Sequence, residues 1–398
     1  MPETVSPVAQ PAPLRIVLIA GEHSGDALGA KLMPALRAAA PRAISFSGVG
    51  GPEMAGHGFT SLFPIEDVAV MGPLHILPAL PRLVRRVYQA VDAALAAKPD
   101  VVVIIDSPEF THPIARRIRK RAPHIPIVDY VCPSVWAWRS GRAPKMRAYV
   151  DEVLALLPFE PDALQRLAGP HGTYVGHPLI EKLDDIRGAD AEGLRARLGI
   201  APQRPVLLVL PGSRRSEVDR LLDVFGETVA RLAATSGAFE VVVPALPHVR
   251  AKIAEAAARW PVPAHILEPK DKYAAMRLAR AALAASGTVT LELALAGTPM
   301  AVAYKVDALT AAIVRRLITT DTALLPNLIL GEKAFPEFIQ QDCTADKLAT
   351  ALRELMADDS EARAAQQAAL DRVPARMVLP SGTPSERAAR TILSVIKA

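Results

Sequence analysis

Two acids, Asp106 and Glu109, follow an aliphatic run in Ile105-Asp106-Ser107-Pro108-Glu109-Phe110. A carboxylate at the end of a buried strand can take a proton from a sugar hydroxyl, and a second can orient it. Plain structural capping is the other reading of the pair. Further on, Leu210-Pro211-Gly212-Ser213-Arg214-Arg215-Ser216-Glu217 joins a strand pattern to a helix pattern. Ser213 and Arg214 sit on that turn, where a guanidinium can fork onto a phosphate beside the positive end of a helix. Arg214 could instead pair with Glu217, three residues on. A third turn, Ala285-Ser286-Gly287-Thr288-Val289-Thr290-Leu291-Glu292, has the same strand-to-helix form. Ser286, Gly287 and Thr288 open a helix whose first N–H groups have no partner within it and suit a pyrophosphate. Glu292 falls one turn later among apolar residues, where an unpartnered acid is costly; accepting the two hydroxyls of a ribose would explain it.

The first such turn is Ala20-Gly21-Glu22-His23-Ser24-Gly25-Asp26. Ser24 could cap the helix or bond a ligand hydroxyl, and Gly25 permits close backbone approach. It is not a G-x-G-x-x-G dinucleotide fingerprint. Two of the three tryptophans stand in Pro133-Ser134-Val135-Trp136-Ala137-Trp138-Arg139, with Arg142, Lys145 and Arg147 beyond. Rings beside cations suit a ligand that is greasy at one end and anionic at the other. The rings could equally fill a core or a contact between two copies, so a homodimer stays open. The segment from Val70 and Met71 to Val87 mixes apolar residues with Arg82, Arg85 and Arg86. It reads as a helix lying on a membrane or on acyl chains, or as a core helix.

These turns need a frame that presents strand ends. Short β-branched runs at Leu14–Ala20, 44–49, Val101–Ile105, 125–131 and 153–157 alternate with helical stretches. The pattern weakens between 181 and 205. It restarts at Val206–Leu210, 240–243, Ala264–Leu267, 282–285 and 300–302. Continuous aliphatic strands alternating with helices predict parallel sheets built from βαβ units. The fold class expected is α/β, two Rossmann-like doubly wound domains facing across a cleft. Their bounds are 14–185 and 186–382, with a proline-rich leader over 1–13 and a final helix over 383–398.

The chain has 398 residues, 51% hydrophobic and 22% charged, with net charge +5. That is enough for two packed domains and too mildly basic to argue for nucleic acid. From His112 to Arg147 nine cations face the single acid Asp129, a local surface that attracts phosphates or anionic lipid. Two cysteines point to a reducing compartment, and no apolar run is long enough to span a bilayer. H-E-x-x-H, C-x-x-C, Asp-x-Asp and G-x-S-x-G are all missing from the sequence, so neither a metal nor a cofactor is called for.

Residues 20–29, 46–58, 105–110, 130–139, 157–160, 175–178, 210–218, 285–293 and 325–328 together resemble the lipid-A-disaccharide synthase family. Pro-Ser-Val-Trp-Ala-Trp-Arg is its most specific stretch. Thr111 departs from an Asn and Cys132 from a Ser usual there. The resemblance implies an inverting GT-B glycosyltransferase with the nucleotide mainly on the second domain and the last helix crossing back to the first. Its substrates would be UDP-2,3-diacylglucosamine and 2,3-diacylglucosamine 1-phosphate (lipid X). The products would be UDP and a β-1,6 disaccharide, made at the cytoplasmic face of the inner membrane of a Gram-negative cell. Asp106 would be the base. Arg214, Ser213, Ser286, Gly287 and Thr288 would hold the diphosphate, Glu292 the ribose, and Asn327 a further part of the nucleotide. Ser24, Gly25, Glu109, Trp136, Trp138, Arg139 and Met71 would face the acylated acceptor. A UDP-sugar 2-epimerase of the same fold and a non-catalytic lipid-binding protein are the rival readings.

Overall fold

The computed structural model describes residues 12–69, 73–307, 311, 317, 318 and 320–396. The chain divides into two units, one running to Pro178 and resuming at Leu379, the other Leu179–Val378. Unit 1 holds strands β1 (Leu14–Ala20), β2 (Ile44–Val49), β3 (Val101–Ile105), β4 (Ile127–Tyr130), β5 (Glu152–Ala155) and β6 (His171–Tyr174). All pair in parallel, in the order β2-β1-β3-β4-β5-β6. Unit 2 holds β7 (Val206–Leu210), β8 (Glu240–Pro244), β9 (Ala264–Leu267), β10 (Ala281–Ala285), β11 (Met300–Tyr304) and β12 (Glu337–Ile339). These are also parallel, in the order β12-β11-β10-β7-β8-β9.

The central strands are aliphatic throughout because helices cover both faces. Every residue of β3 and of β7 is buried. The helix Arg215–Thr235 buries Val218, Leu221, Leu222, Phe225, Val229 and Leu232. That spacing of three and four places one apolar stripe on the sheet. Each such side chain contributes roughly 1.5–3 kcal/mol on leaving water. The last helix, Pro384–Val395, sends Ala388, Ala389 and Ile392 into the unit 1 core beside Ile16, Leu18 and Ile104. Its start is fixed by Thr383, whose hydroxyl accepts the Glu386 N–H at 3.2 Å while the Glu386 carboxylate accepts the Thr383 N–H at 3.0 Å.

The strand orders place the sites. In unit 1 the chain moves outward from β1 to β2, then returns to lay β3 on the other side of β1. In unit 2 the same reversal separates β7 from β10. Ligands of open α/β sheets bind beyond the carboxyl ends of strands at such reversals. Ala20 faces Ile105 in register across one reversal, and Leu210 faces Ala284 across the other. The turns singled out in the sequence leave from these four strand ends.

Candidate functional site

In unit 2 the turns after β7 and β10 line a cavity of about 400 Å³, with Pro244, Leu246 and Pro269 closing its sides. Gly212 takes φ +121°, left-handed space that suits glycine, and a Cβ there would meet that of Glu217 at 2.7 Å. The Glu217 carboxylate accepts the backbone N–H of Ser213 at 3.1 Å and of Arg214 at 3.3 Å. It also accepts the Arg214 guanidinium at 3.0 Å. Arg214 is thus cocked against Glu217 on the cavity wall, largely exposed and able to turn toward an anion. Opposite, Ser286, Gly287 and Thr288 lead into the helix Val289–Ala296. In its first turn the Thr290 and Leu291 N–H groups already donate to the Gly287 and Thr288 carbonyls, and the positive end of the helix makes this wall a place for negative charge.

Glu292 is buried, as its apolar neighbours predict. Its partner is one that sequence reasoning missed. Lys272 Nζ lies 2.7 and 2.9 Å from the two carboxylate oxygens, and the Tyr273 hydroxyl donates at 3.3 Å. Lys272 arrives from the helix Lys272–Leu278, twenty residues earlier in the chain, so no spacing links it to Glu292. A carboxylate has about four acceptor sites; Lys272 and Tyr273 take three of them, which leaves one, on Oε2, open to a hydroxyl. Beside Glu292 the Tyr273 hydroxyl is pushed up to about 12, by burial and then by that carboxylate, which keeps it protonated and donating.

Asn327 stands apart from the lining of this cavity. It is buried, and its amide donates to the Phe335 carbonyl and accepts the Phe335 N–H, both at 2.9 Å. Further contacts to Thr322 and Glu337 occupy the same NH₂ group. Its side chain is committed to holding its own loop.

In unit 1, Asp106 and Ser107 adopt φ +56° and +47°, two consecutive left-handed non-glycine residues. Strain of this kind persists where the surroundings over-determine it and collects at functional sites. Asp106 Oδ2 accepts the Ser24 hydroxyl at 2.8 Å and Oδ1 accepts the Ser107 N–H at 2.7 Å. The Thr111 hydroxyl donates to the Asp106 carbonyl at 2.8 Å. Ser24 therefore serves the carboxylate, not the cap of its own helix. The β1 turn can lie against Ser107 because residue 21 is glycine; a Cβ there would stand 2.5 Å from that of Ser107. Gly25 packs as closely, its would-be Cβ 3.0 Å from the Ile105 carbonyl oxygen.

Glu109 receives Arg139 at 3.0 Å and Arg142 at 2.5 Å on one oxygen. Burial opposes its charge, but the hydrogen bond and charge of Arg142, with Arg139 and His112, outweigh it and hold the carboxyl below its usual value. The two tryptophans part company. Trp138 is exposed beneath the Arg139 guanidinium, 4.3 Å from its ring centre. Trp136 is half-buried, edge-on to Phe159 at 5.0 Å, its indole N–H donating to Glu160 at 3.1 Å. Glu160 is 3% exposed and also accepts the Leu157 N–H at 2.9 Å. Burial pushes its carboxyl up to about 7, against those hydrogen bonds. Cys132 beside it is pushed well up by burial, then by Glu160 and Asp129, so it is a neutral, packed thiol. Behind the strand end His112 bridges the buried Asp129 and the Tyr149 hydroxyl, each at 3.0 Å. Met71 lies outside the described residues. Among the described residues no helix is long and apolar enough to cross a membrane.

The sequence profile of the lipid-A-disaccharide synthetase family matches residues 16–380. The chain belongs to that family. It is 52% identical over 385 residues to a protein of Nitrobacter hamburgensis named lipid-A-disaccharide synthase, covering 96% of each chain. A Rhodopseudomonas palustris protein of the same name is 53% identical over 392 residues, covering 98% of each. Among solved structures, the UDP-GlcNAc 2-epimerase of Neisseria meningitidis bound to UDP-GlcNAc matches with a TM-score of 0.60 at 14% identity. That match covers 96% of this chain and 99% of the epimerase. Acinetobacter baumannii MurG matches with 0.58 at 14%, covering 96% and 100%. At such identities the two structures show a shared fold and nothing of the chemistry. The epimerase reading therefore gains no support from them, while family membership makes the chain an enzyme, a glycosyltransferase of lipid A biosynthesis.

Proposed function

We propose that this enzyme joins UDP-2,3-diacylglucosamine to 2,3-diacylglucosamine 1-phosphate, releasing UDP and leaving a β-1,6 disaccharide 1-phosphate. The observation that carries the residue assignments is the coincidence of both strained or glycine-bearing turns with the two chain reversals. Arg214 turns from Glu217 to the diphosphate, and the Ser286–Thr288 helix end supplies N–H donors to it. Glu292, held by Lys272 and Tyr273, accepts a ribose hydroxyl at its remaining acceptor site. Asp106 takes the proton from the acceptor's 6-hydroxyl. That oxygen bonds to the anomeric carbon as the carbon–oxygen bond to UDP breaks, and the configuration inverts. Ser24 and the Ser107 N–H aim the carboxylate. No metal is required in this scheme, since the cations and helix ends meet the charge on the departing diphosphate.

The exposed residues Leu80, Val84 and Tyr88, one per turn along the helix Pro73–Ala96 with Arg82 and Arg85 between, support attachment to the cytoplasmic face of the inner membrane. Flotation with anionic vesicles tests that attachment, and sedimentation tests a homodimer. For the chemistry, Asp106→Asn should lower UDP release in the presence of both glycolipids by roughly 10²-fold or more. Its UDP affinity by calorimetry should stay within twofold of wild type. Near-normal turnover would remove Asp106 from the reaction, and UDP release from the donor alone would favour the epimerase or a hydrolase.

A further inference from the structure

Lys272 and Glu292 both line the cavity of unit 2. Lys272 opens the helix Lys272–Leu278, and Glu292 lies in the first turn of Val289–Ala296. These two stretches of chain are clamped together. The Arg277 guanidinium donates to the Ala296 carbonyl at 3.0 Å, and the Thr298 hydroxyl donates to the Met276 carbonyl at 2.7 Å. The turn leading into Lys272 is tied as well, by Arg197 on the Asp271 carboxylate at 2.6 Å. The Tyr273 ring centre lies 4.9 Å from Lys272 Nζ and steadies the ammonium. Ammonium and carboxylate are therefore set in place before a ligand arrives.

An ammonium has three N–H donors and no acceptor, whereas a carboxylate only accepts. Two of the Lys272 donors go to the two oxygens of Glu292. Among the described residues the third makes no hydrogen bond. The Lys272 side chain is 33% exposed against 11% for that of Glu292, so the lysine is the more open of the pair. A counter-ion for a buried acid needs neither that exposure nor a place in the cavity wall. The site thus offers one acceptor, on Glu292 Oε2, and one donor, on Lys272 Nζ, 2.9 Å apart. Two neighbouring hydroxyls match such a pair, because each can either give or accept. We propose that Lys272 reads the second hydroxyl of the ribose: one hydroxyl donates to Glu292 Oε2 and its neighbour accepts from Lys272 Nζ. The assignment rests on the unit 2 cavity taking the nucleotide and adds a specificity-determining residue to it. A sugar that lacks either hydroxyl leaves a donor or an acceptor of the pair unsatisfied and is rejected.

Calorimetry with UDP, 2′-deoxy-UDP and 3′-deoxy-UDP on the full chain tests it. Wild type should bind each deoxy form roughly tenfold or more weakly than UDP, since each loses a hydrogen bond to a charged group. Lys272→Met has a similar length and no donor, and should bind UDP roughly tenfold more weakly. Its penalty for one deoxy form should fall to within twofold of UDP, while the penalty for the other persists. Lys272→Arg retains a spare N–H and should keep both penalties. Both penalties intact in Lys272→Met would make Lys272 a mere counter-ion and overturn the proposal. Both vanishing together would also overturn it, for Glu292 alone would then read both hydroxyls. Matching melting curves show that the variants fold. If Lys272→Met does not fold, wild type decides alone with the 2′-fluoro and 3′-fluoro analogues, since fluorine accepts weakly and cannot donate. One fluoro form should regain at least threefold over its deoxy counterpart, and the other nothing; equal behaviour at both positions overturns the proposal. A wild type with no saturable UDP binding discards the nucleotide reading of the cavity itself. UDP binding with both penalties intact in Lys272→Met discards only the role of Lys272.

Discussion

Glu160 is a buried acid that ties the stability of unit 1 to pH. Its carboxyl stands at about 7 in the fold against 4.5 unperturbed, because burial penalises the charge more than the Leu157 and Trp136 donors favour it. The folded state therefore holds its proton more tightly than the unfolded chain. The stability this contributes is full below about pH 4.5 and is lost as pH rises through 7, by up to roughly 3 kcal/mol. Glu160→Gln should remove that slope, so the difference in unfolding free energy between variant and wild type should drift in the variant's favour from pH 5 to 8. A constant difference across that range would mean that Glu160 is already charged at pH 5. Several side chains of the proposed site could be picked out from local sequence alone. Asp106, Arg214 and Ser286–Thr288 each sit on a short turn after an aliphatic strand, and strand ends are where such folds place chemistry. Lys272, Glu160 and the His112–Asp129–Tyr149 group were not, since tertiary structure alone brings them to their partners. Asn327 shows the converse, a polar residue on a family segment whose amide is spent on Phe335.

At the scale of elements, the aliphatic runs gave ten of the twelve strands found among the described residues. The two that escaped, β6 and β12, are both sheet edges. His171-Gly172-Thr173-Tyr174 and Glu337-Phe338-Ile339 contain no fully buried position, so neither has the continuous aliphatic signature of an inner strand. The β1 turn illustrates how an element positions a residue it does not contain. Gly21 leaves no room for a Cβ against Ser107, so Gly21→Ala should push the strained Asp106–Ser107 pair out of place. The expected result is a fall of roughly 10-fold to 100-fold in turnover, the scale of a misplacement near 1 Å. UDP affinity should be unaffected, because the nucleotide cavity proposed here belongs to unit 2. If turnover survives, the close approach of the two turns is packing and nothing more.

For the whole molecule, the decisive feature is that unit 1 is assembled from both ends of the chain. Ala388, Ala389 and Ile392 are all fully buried in the core that β1 and β3 begin. Removing the segment from Pro384 onward should cost unit 1 more than the about 2–5 kcal/mol of one buried Ile→Ala change. Hydrogen exchange at β1, β3 and β5 would report the loss, and unchanged protection there would show that the helix is an ornament on a core already complete. The same feature governs how the protein is made. A ribosome adds about 5–20 residues per second, so the 200 residues of Leu179–Val378 occupy about 10–40 s. Throughout that interval the nascent first sheet waits with its helix-shaped gap open, and any chaperone that attends this protein has its natural docking place there.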